Sequence, residues 1–222
     1  MLSKEKTRYL YLFAIFLLAA LIRFFLLFPP HLTLDSSAYG SQAIDVLKGE
    51  LPVFYYGQKF MGAGGTYIIA FFYKLFGISH FSLLLFAWVT SILFIFFVML
   101  LALRLFGINT ALFTSAFLLF LPTKRLAIWC GESRPDYTLT FILIPVILLL
   151  TYSAIIREKE KKNCSVIFAI LGLLSGFGLW NNLIITPAIF VSLIFILIYL
   201  RLKFIKRFFL VYLIFSIIGG YP

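Results

Sequence analysis

The sequence predicts an all-α polytopic membrane protein with about seven transmembrane helices and with interfacial amphipathic helices in its first extracytoplasmic loop. Composition is the first observation behind this prediction: 63% of the 222 residues are hydrophobic, 12% are charged, and the mean hydropathy is +1.09. Soluble domains carry about 25% charged residues, so the apolar surface of this chain is most simply explained by shielding with lipid. The second observation is that apolar residues gather in runs of about 20, the length that crosses a hydrocarbon core of ~30 Å.

These apolar runs are the predicted transmembrane helices of a single domain that comprises residues 1–222. A shorter run at 66–76 cannot span the membrane and is predicted to be an interfacial or re-entrant helix. The predicted spans lie near residues 9–28, 81–103, 108–121, 137–156, 165–179, 183–200 and 208–222.

The distribution of Lys and Arg predicts the orientation, because translocation of basic residues is disfavoured. With the N-terminus in the cytoplasm, the cytoplasmic ends of the spans are strongly basic, whereas charges on the opposite side nearly balance. The protein is therefore predicted to be a multi-pass protein of the cytoplasmic (plasma) membrane with loop 29–80 outside. The basic run REKEKKN at 157–163 is interpreted as a solvated connector that meets anionic headgroups, and no nucleic-acid partner is predicted.

No sequence pattern typical of a metal or nucleotide site is found. The two histidines are isolated, and Cys130 and Cys164 are predicted on opposite sides of the membrane. The GAGG segment at 62–65 lacks the Lys and Ser/Thr that complete a phosphate-binding loop. No cofactor and no metal site is therefore predicted, and a divalent metal stays open as an alternative.

The first polar cluster, HLTLDSSAYGSQA at 31–43, directly follows the first apolar run. Residues 36–49 have the pattern of a helix lying along the interface. Asp35 at its start has two compatible interpretations: it caps the helix, or its carboxylate accepts a proton from an acceptor hydroxyl. The segment VFYYGQKFMGAGG at 53–65 then combines turn-permitting glycines with two adjacent tyrosines.

The order of these features resembles the polytopic GT-C glycosyltransferases that use lipid-linked sugars, which include the dolichyl-phosphate-mannose-protein mannosyltransferases of glycosyltransferase family 39 and the lipid A aminoarabinose transferases. The order is a first span with Arg23, then Asp35, an amphipathic helix, the segment FYYGQKFMGAGGTYIIAFFYKLFGIS and the second span. The segment ESRPDYTLTFILIP at 132–145 is similar to the Arg-Pro-acid or Arg-Pro-Tyr element that opens the fourth span in that family. The resemblance covers essentially the whole chain.

The resemblance implies a glycosyltransferase that moves a sugar, with inversion, from a polyprenyl-phosphate donor to a hydroxyl acceptor on the extracytoplasmic face. The acceptor is a protein, a lipid or a cell-envelope glycan. Asp35 matches the acid of the first extracytoplasmic loop that acts as catalytic base or organises the site, although Ser36 stands where the family usually has a second acid. Arg134 and Asp136 match the element of the fourth span. For these two residues and Glu132, a helix cap and an interfacial ion pair are the alternative.

The implied reaction also needs a cation at the leaving phosphate. The candidates are Arg23, Lys124, Arg125 and Arg134. Arg23 lies within a span, where a charge is costly and indicates function, unless it snorkels to the headgroups. The positions of Lys124 and Arg125 run against the positive-inside trend, which favours a phosphate or headgroup partner.

Tyr55 and Tyr56 are candidates for stacking on the sugar, with a place in the interfacial aromatic belt as the alternative. The competing class of function is a non-enzymatic lipid or polysaccharide transporter or flippase subunit, and a glycan polymerase or ligase is a third interpretation. Transporters tend to show repeated halves and midplane charges, neither of which is evident here.

The last apolar run is short, and members of the resembled family generally continue with more spans. The chain is therefore expected to be the N-terminal portion of a longer enzyme.

Overall fold

The structure is a computed structural model that describes residues 4–27, 33–119 and 134–222. In these ranges the chain forms α-helices, one short 3-10 helix and one antiparallel hairpin. The elements of the first part are α1 (Lys4–Phe25), α2 (Leu34–Leu47), β1 (Phe54–Tyr55), β2 (Gln58–Gly62), α3 (Gly64–Phe76), α4 (His80–Phe106) and α5 (Ile108–Leu119). Those of the second part are α6 (Pro135–Lys159), α7 (Ser165–Asn181), the 3-10 helix (Leu183–Ile185), α8 (Thr186–Leu200), α9 (Leu202–Arg207) and α10 (Phe209–Gly220).

The predicted apolar runs are largely helical over their described parts, which agrees with the all-α polytopic class. Among the described residues, four segments are long and apolar enough to cross a membrane: Lys6–Phe25, His80–Phe106, Pro135–Lys159 and Leu183–Leu200. The apolar helices α5, α7 and α10 are shorter. The count of seven crossings and the interfacial position of α2 and α3 therefore stay predictions.

Small residues let α7 and α10 approach closely. A Cβ atom on Gly172, Gly176 or Gly219 would overlap a backbone carbonyl of the facing helix. Such close backbone contacts are typical of helix pairs in membranes, where association depends on packing because lipid is as apolar as the side chains. Around this pair, α6, α8 and α9 add side chains to one large apolar cluster, with Phe168 and Phe208 stacked at its centre.

The segment between α1 and α4 forms a folded layer with its own core. Tyr39, Tyr55, Ile69 and Phe86 belong to one buried cluster that joins α2, the hairpin, α3 and α4. Gln42 is fully buried and ties this layer together: its Nε2 donates to the Phe54 carbonyl at 2.8 Å, and its Oε1 accepts from Thr66 Oγ1 at 3.0 Å. Both ends of the amide are thus paired, as a buried polar group requires.

The cap of α2 differs from the expectation for Asp35. The N-cap is Thr33, whose Oγ1 accepts from the Ser36 backbone amide at 3.3 Å, while Ser36 Oγ accepts from the Thr33 amide at 2.8 Å. This reciprocal pair is a capping box. Asp35 is therefore the second residue of α2, and the interpretation of Asp35 as the cap is wrong. Ser36, where the resemblance leads one to expect a second acid, is the other member of this capping box.

The GAGG segment brings the layer against the ends of two apolar helices. A Cβ atom on Gly65 would overlap the side chain of Pro135 at the start of α6. A Cβ atom on Gly62 would lie 2.8 Å from the Trp180 ring at the end of α7. The glycines of this segment are therefore explained by close packing between the layer and the two helices, and no phosphate-binding role is needed to account for them.

We predict that Gly65→Ala destabilises the protein more than Gly64→Ala. The alanine methyl at position 65 must displace Pro135, whereas at position 64 its nearest neighbour is the tip of the Phe177 ring at 3.0 Å. Overpacking of this kind costs about 1–3 kcal/mol. Thermal unfolding of the two purified variants beside the wild type measures the difference, and equal unfolding temperatures for the two variants would contradict the proposed packing.

Candidate functional site

A cavity of about 190 Å³ lies where α2 and the hairpin meet the first turn of α6. Its walls come from two segments that are far apart in the sequence, one before α4 and one at the head of α6. It is lined by Asp35, Tyr39, Tyr55, Gln58, Phe60, Met61, Arg134, Asp136 and Tyr137. The cavity therefore exists only because the layer that contains α2 packs against α6.

An ion pair crosses this cavity. Arg134 Nη2 lies 3.2 Å from Asp35 Oδ2, with 27% of the arginine side chain and 48% of the aspartate side chain exposed. Exposed pairs of this kind contribute about 0–1 kcal/mol to stability. The pair therefore contributes little to folding stability. Its main consequence is that two opposite charges line the same cavity.

Asp136 is the buried acid of the site, with 3% of its surface exposed. It follows Pro135 in the first turn of α6, where the helix dipole favours a carboxylate. Asn182 Nδ2 donates to Asp136 Oδ2 at 3.4 Å, and Asn181 Nδ2 donates to the Asp136 carbonyl at 3.0 Å. The polar end of α7 thus holds this carboxylate in place.

Two stacked tyrosines form one wall of the cavity. The rings of Tyr39 and Tyr55 lie 4.0 Å apart with 25° between their planes. The Tyr55 hydroxyl donates to the Asp35 carbonyl at 3.4 Å. Burial, followed by the negative charges of Asp35 and Asp136, raises the pKa of Tyr55, so this phenol is a neutral hydrogen-bond donor at physiological pH.

The Tyr39 hydroxyl is the least satisfied polar group in the wall. Burial is the main cause that raises the pKa of Tyr39, and the adjacent Asp136 carboxylate raises it further. The hydroxyl is close enough to that carboxylate to interact with its charge, but among the described residues no acceptor meets it with good hydrogen-bond geometry. It can therefore donate to a group that enters the cavity.

The family comparison identifies the class of protein. A model of the family described as dolichyl-phosphate-mannose-protein mannosyltransferase matches residues 62–220. The chain belongs to this family of GT-C glycosyltransferases. No curated protein and no solved structure matches the chain.

Membership of the mannosyltransferase family supports a multi-pass membrane protein with glycosyltransferase activity, and it does not favour the transporter alternative. The matched range contains Arg134, Asp136 and the two asparagines at the end of α7. Three other cavity residues, Asp35, Tyr39 and Tyr55, precede the matched range. They are assigned to the same site as Arg134 and Asp136 because they line the same cavity.

Four of the residues singled out in the sequence meet in the cavity: Asp35, Tyr55, Arg134 and Asp136. Tyr56, although adjacent to Tyr55, points elsewhere and donates to Asp45 Oδ2 at 2.9 Å. Lys124, Arg125 and Glu132 lie outside the described residues.

Arg23 lies apart from the cavity wall. It is fully buried, and it donates from Nε to Ser91 Oγ and from Nη2 to the Leu118 carbonyl, each at 2.8 Å. These bonds connect α1 to α4 and α5. The alternative that Arg23 snorkels to the headgroups is therefore wrong, because no part of its side chain is exposed.

Sequence reasoning missed several residues of the site. The missed residues that line the cavity are Tyr39, Gln58, Phe60, Met61 and Tyr137, and those that support Asp136 are Asn181 and Asn182. A usable signal was the Asn-Asn pair itself, which interrupts the apolar sequence between α7 and α8. Buried amides at a membrane-helix end indicate a polar partner, but the sequence does not say which partner.

We predict that stability decreases less steeply above pH 10 in Tyr39→Phe than in the wild type. Because the folded pKa of Tyr39 is raised, only the unfolded chain ionises this group near pH 10, and folding stability is lost as the pH rises, by up to about 1.4 kcal/mol per pH unit. Unfolding temperatures between about pH 9 and pH 11 measure this slope.

Tyr221→Phe is the matched control, since Tyr221 is 81% exposed. The control should retain the wild-type slope. Equal slopes for Tyr39→Phe and Tyr221→Phe would contradict the buried, charge-adjacent position of the Tyr39 phenol.

Proposed function

We propose that this protein transfers a sugar from a polyprenyl-phosphate donor to a hydroxyl acceptor, with inversion, in the cavity between α2 and α6. The single observation that carries the proposal is the Asp35–Arg134 ion pair beside the buried Asp136 carboxylate. Such a transfer needs a base for the acceptor proton and a cation for the leaving phosphate. The ion pair supplies both charges side by side in a chain of a glycosyltransferase family.

In the proposed reaction, the acceptor oxygen attacks the anomeric carbon and its proton passes to the Asp35 carboxylate. The bond between the anomeric carbon and the phosphate oxygen breaks, and its electron pair goes to the phosphate. Asp35 suits the role of base because about half of its side chain is exposed to an incoming acceptor. Arg134 suits the leaving phosphate because its guanidinium has five N–H donors and can bind a carboxylate and a phosphate together.

The other cavity residues suit the sugar itself. The cavity is smaller than the ~300–1,000 Å³ of pockets for drug-sized ligands, so we expect it to receive the sugar ring while the isoprenoid chain stays outside. Asp136 accepts hydrogen bonds from sugar hydroxyls, and Tyr39 donates one. The Tyr55 ring offers an apolar face to the carbon skeleton of the sugar.

Exposed apolar side chains beside the cavity support a lipid-linked donor. Leu34, next to Asp35, is 92% exposed, and Phe60 in the cavity wall is 64% exposed. Large exposed apolar groups of this kind mark membrane or ligand contact. We propose that this side of the layer lies at the extracytoplasmic interface, where the isoprenoid chain is within reach.

We predict that Asp35→Asn reduces the turnover number for sugar transfer by about 10²–10⁴-fold, the usual contribution of a general base. The measurement is transfer of labelled sugar from polyprenyl-phosphate mannose to hydroxyl acceptors in membranes that contain the protein. Asp45→Asn is the matched control, because Asp45 lies in the same helix but pairs with Lys48 at 2.8 Å and with Tyr56, away from the cavity. Transfer by Asp35→Asn at the rate of Asp45→Asn would remove Asp35 from the catalytic role.

The proposed orientation is tested by cysteine labelling with a membrane-impermeant maleimide in intact cells. Lys59 in the hairpin and Lys203 in α9 are both exposed. We expect Lys59→Cys to be labelled from outside and Lys203→Cys to be labelled only after permeabilisation. The reverse pattern would place the cavity in the cytoplasm and contradict the proposed site of transfer.

A further inference from the structure

A second polar pocket lies at the far end of α6 from the candidate active site. Asp136 and Glu158 are separated by about 33 Å along this helix at a rise of 1.5 Å per residue, which is close to the ~30 Å thickness of the hydrocarbon core. The pocket has a volume of about 360 Å³ and is lined by Glu158, Leu202, Lys203, Lys206 and Arg207. It therefore lies near the opposite surface of the membrane.

Glu158 is an unusual group in this pocket because its carboxylate is buried without sufficient partners. Only 8% of the residue is exposed, and its Oε2 atom has no hydrogen-bond partner among the described residues. Lys203 Nζ lies 3.9 Å from Oε1, at the limit of an ion pair, and 74% of its side chain is exposed. A buried carboxylate oxygen without a donor is costly, so the pocket suits a ligand that donates a hydrogen bond to it.

The opposite charge lies on α9, at the other side of the same pocket. Lys203, Lys206 and Arg207 line it and provide donors for an anion. Phe204 is buried at 2% exposure and attaches α9 to the apolar cluster, while Leu202 is 65% exposed and Ile205 53% exposed. A short helix with both basic and exposed apolar residues fits a membrane interface with phospholipid headgroups.

We propose that this pocket binds the headgroup of a phospholipid that carries both a phosphate and an N–H or O–H donor, as ethanolamine and glycerol phospholipids do. The phosphate binds the three cations of α9, and the donor of the headgroup binds the free oxygen of Glu158. The exposed apolar side chains of α9 contact the acyl chains. The pocket would then anchor α9 to α6 only in a membrane that contains such lipids.

The test compares phosphatidylethanolamine with phosphatidylcholine, which has the same phosphate and the same net charge but no N–H donor. Lipid titration of the detergent-purified protein, followed by native mass spectrometry, gives the two dissociation constants. We expect phosphatidylethanolamine to bind about tenfold more tightly, because a hydrogen bond to a charged group is worth about that factor. Glu158→Gln should remove most of this preference, whereas Lys206→Gln should weaken the binding of both lipids.

Lys161→Gln is the matched control, since it removes one exposed positive charge on the same side of the protein without changing the pocket lining. Equal affinity for the two lipids in the wild type, or an unchanged preference in Glu158→Gln, would overturn the proposal. Soluble glycerophosphoethanolamine that binds as tightly as the lipid would overturn the assignment to a membrane lipid. If Glu158→Gln does not fold, an equal effect of Lys206→Gln and Lys161→Gln on lipid binding would also overturn it.

Discussion

The close approach of the GAGG segment to the head of α6 is the constraint on which the candidate site depends. Gly65 has no room for a side chain because Pro135 fills the space that a Cβ atom would occupy. This contact fixes the distance between the layer that carries Asp35 and the helix that carries Arg134 and Asp136. A larger separation would open the 3.2 Å ion pair and remove one wall of the cavity.

The site places two carboxylates in different environments around one guanidinium. Asp136 is buried and is held by an asparagine amide at the end of α7, whereas Asp35 is half exposed. Environments that differ in this way allow two acids of the same type to take different roles, one as a fixed acceptor and one as a group that exchanges protons. Ser36 supports this arrangement, because its hydroxyl completes the capping box at the start of α2.

Hydropathy predicted the helices well because long apolar runs in lipid must satisfy their backbone groups internally. The resemblance to glycosyltransferases selected Asp35 and Arg134, which the fold brings together. The sequence could not predict partners that are remote along the chain: Arg23 meets groups 68 and 95 residues away, and Asn182 meets an acid 46 residues earlier. The cap was misassigned because Thr33, two positions before Asp35, is also a favoured N-cap residue and is supported by the reciprocal bond from Ser36.

The most direct test of the central claim is to locate the sugar of the bound donor. A polyprenyl-phosphate sugar with a photoreactive group on the sugar ring can be crosslinked to the protein in membranes, and the modified peptides can be identified by mass spectrometry. We expect modification of the hairpin at 54–62 and of residues 134–137, and loss of both when excess unlabelled donor is present. Crosslinks confined to other parts of the chain would contradict the account, because the sugar would then bind outside the cavity between α2 and α6.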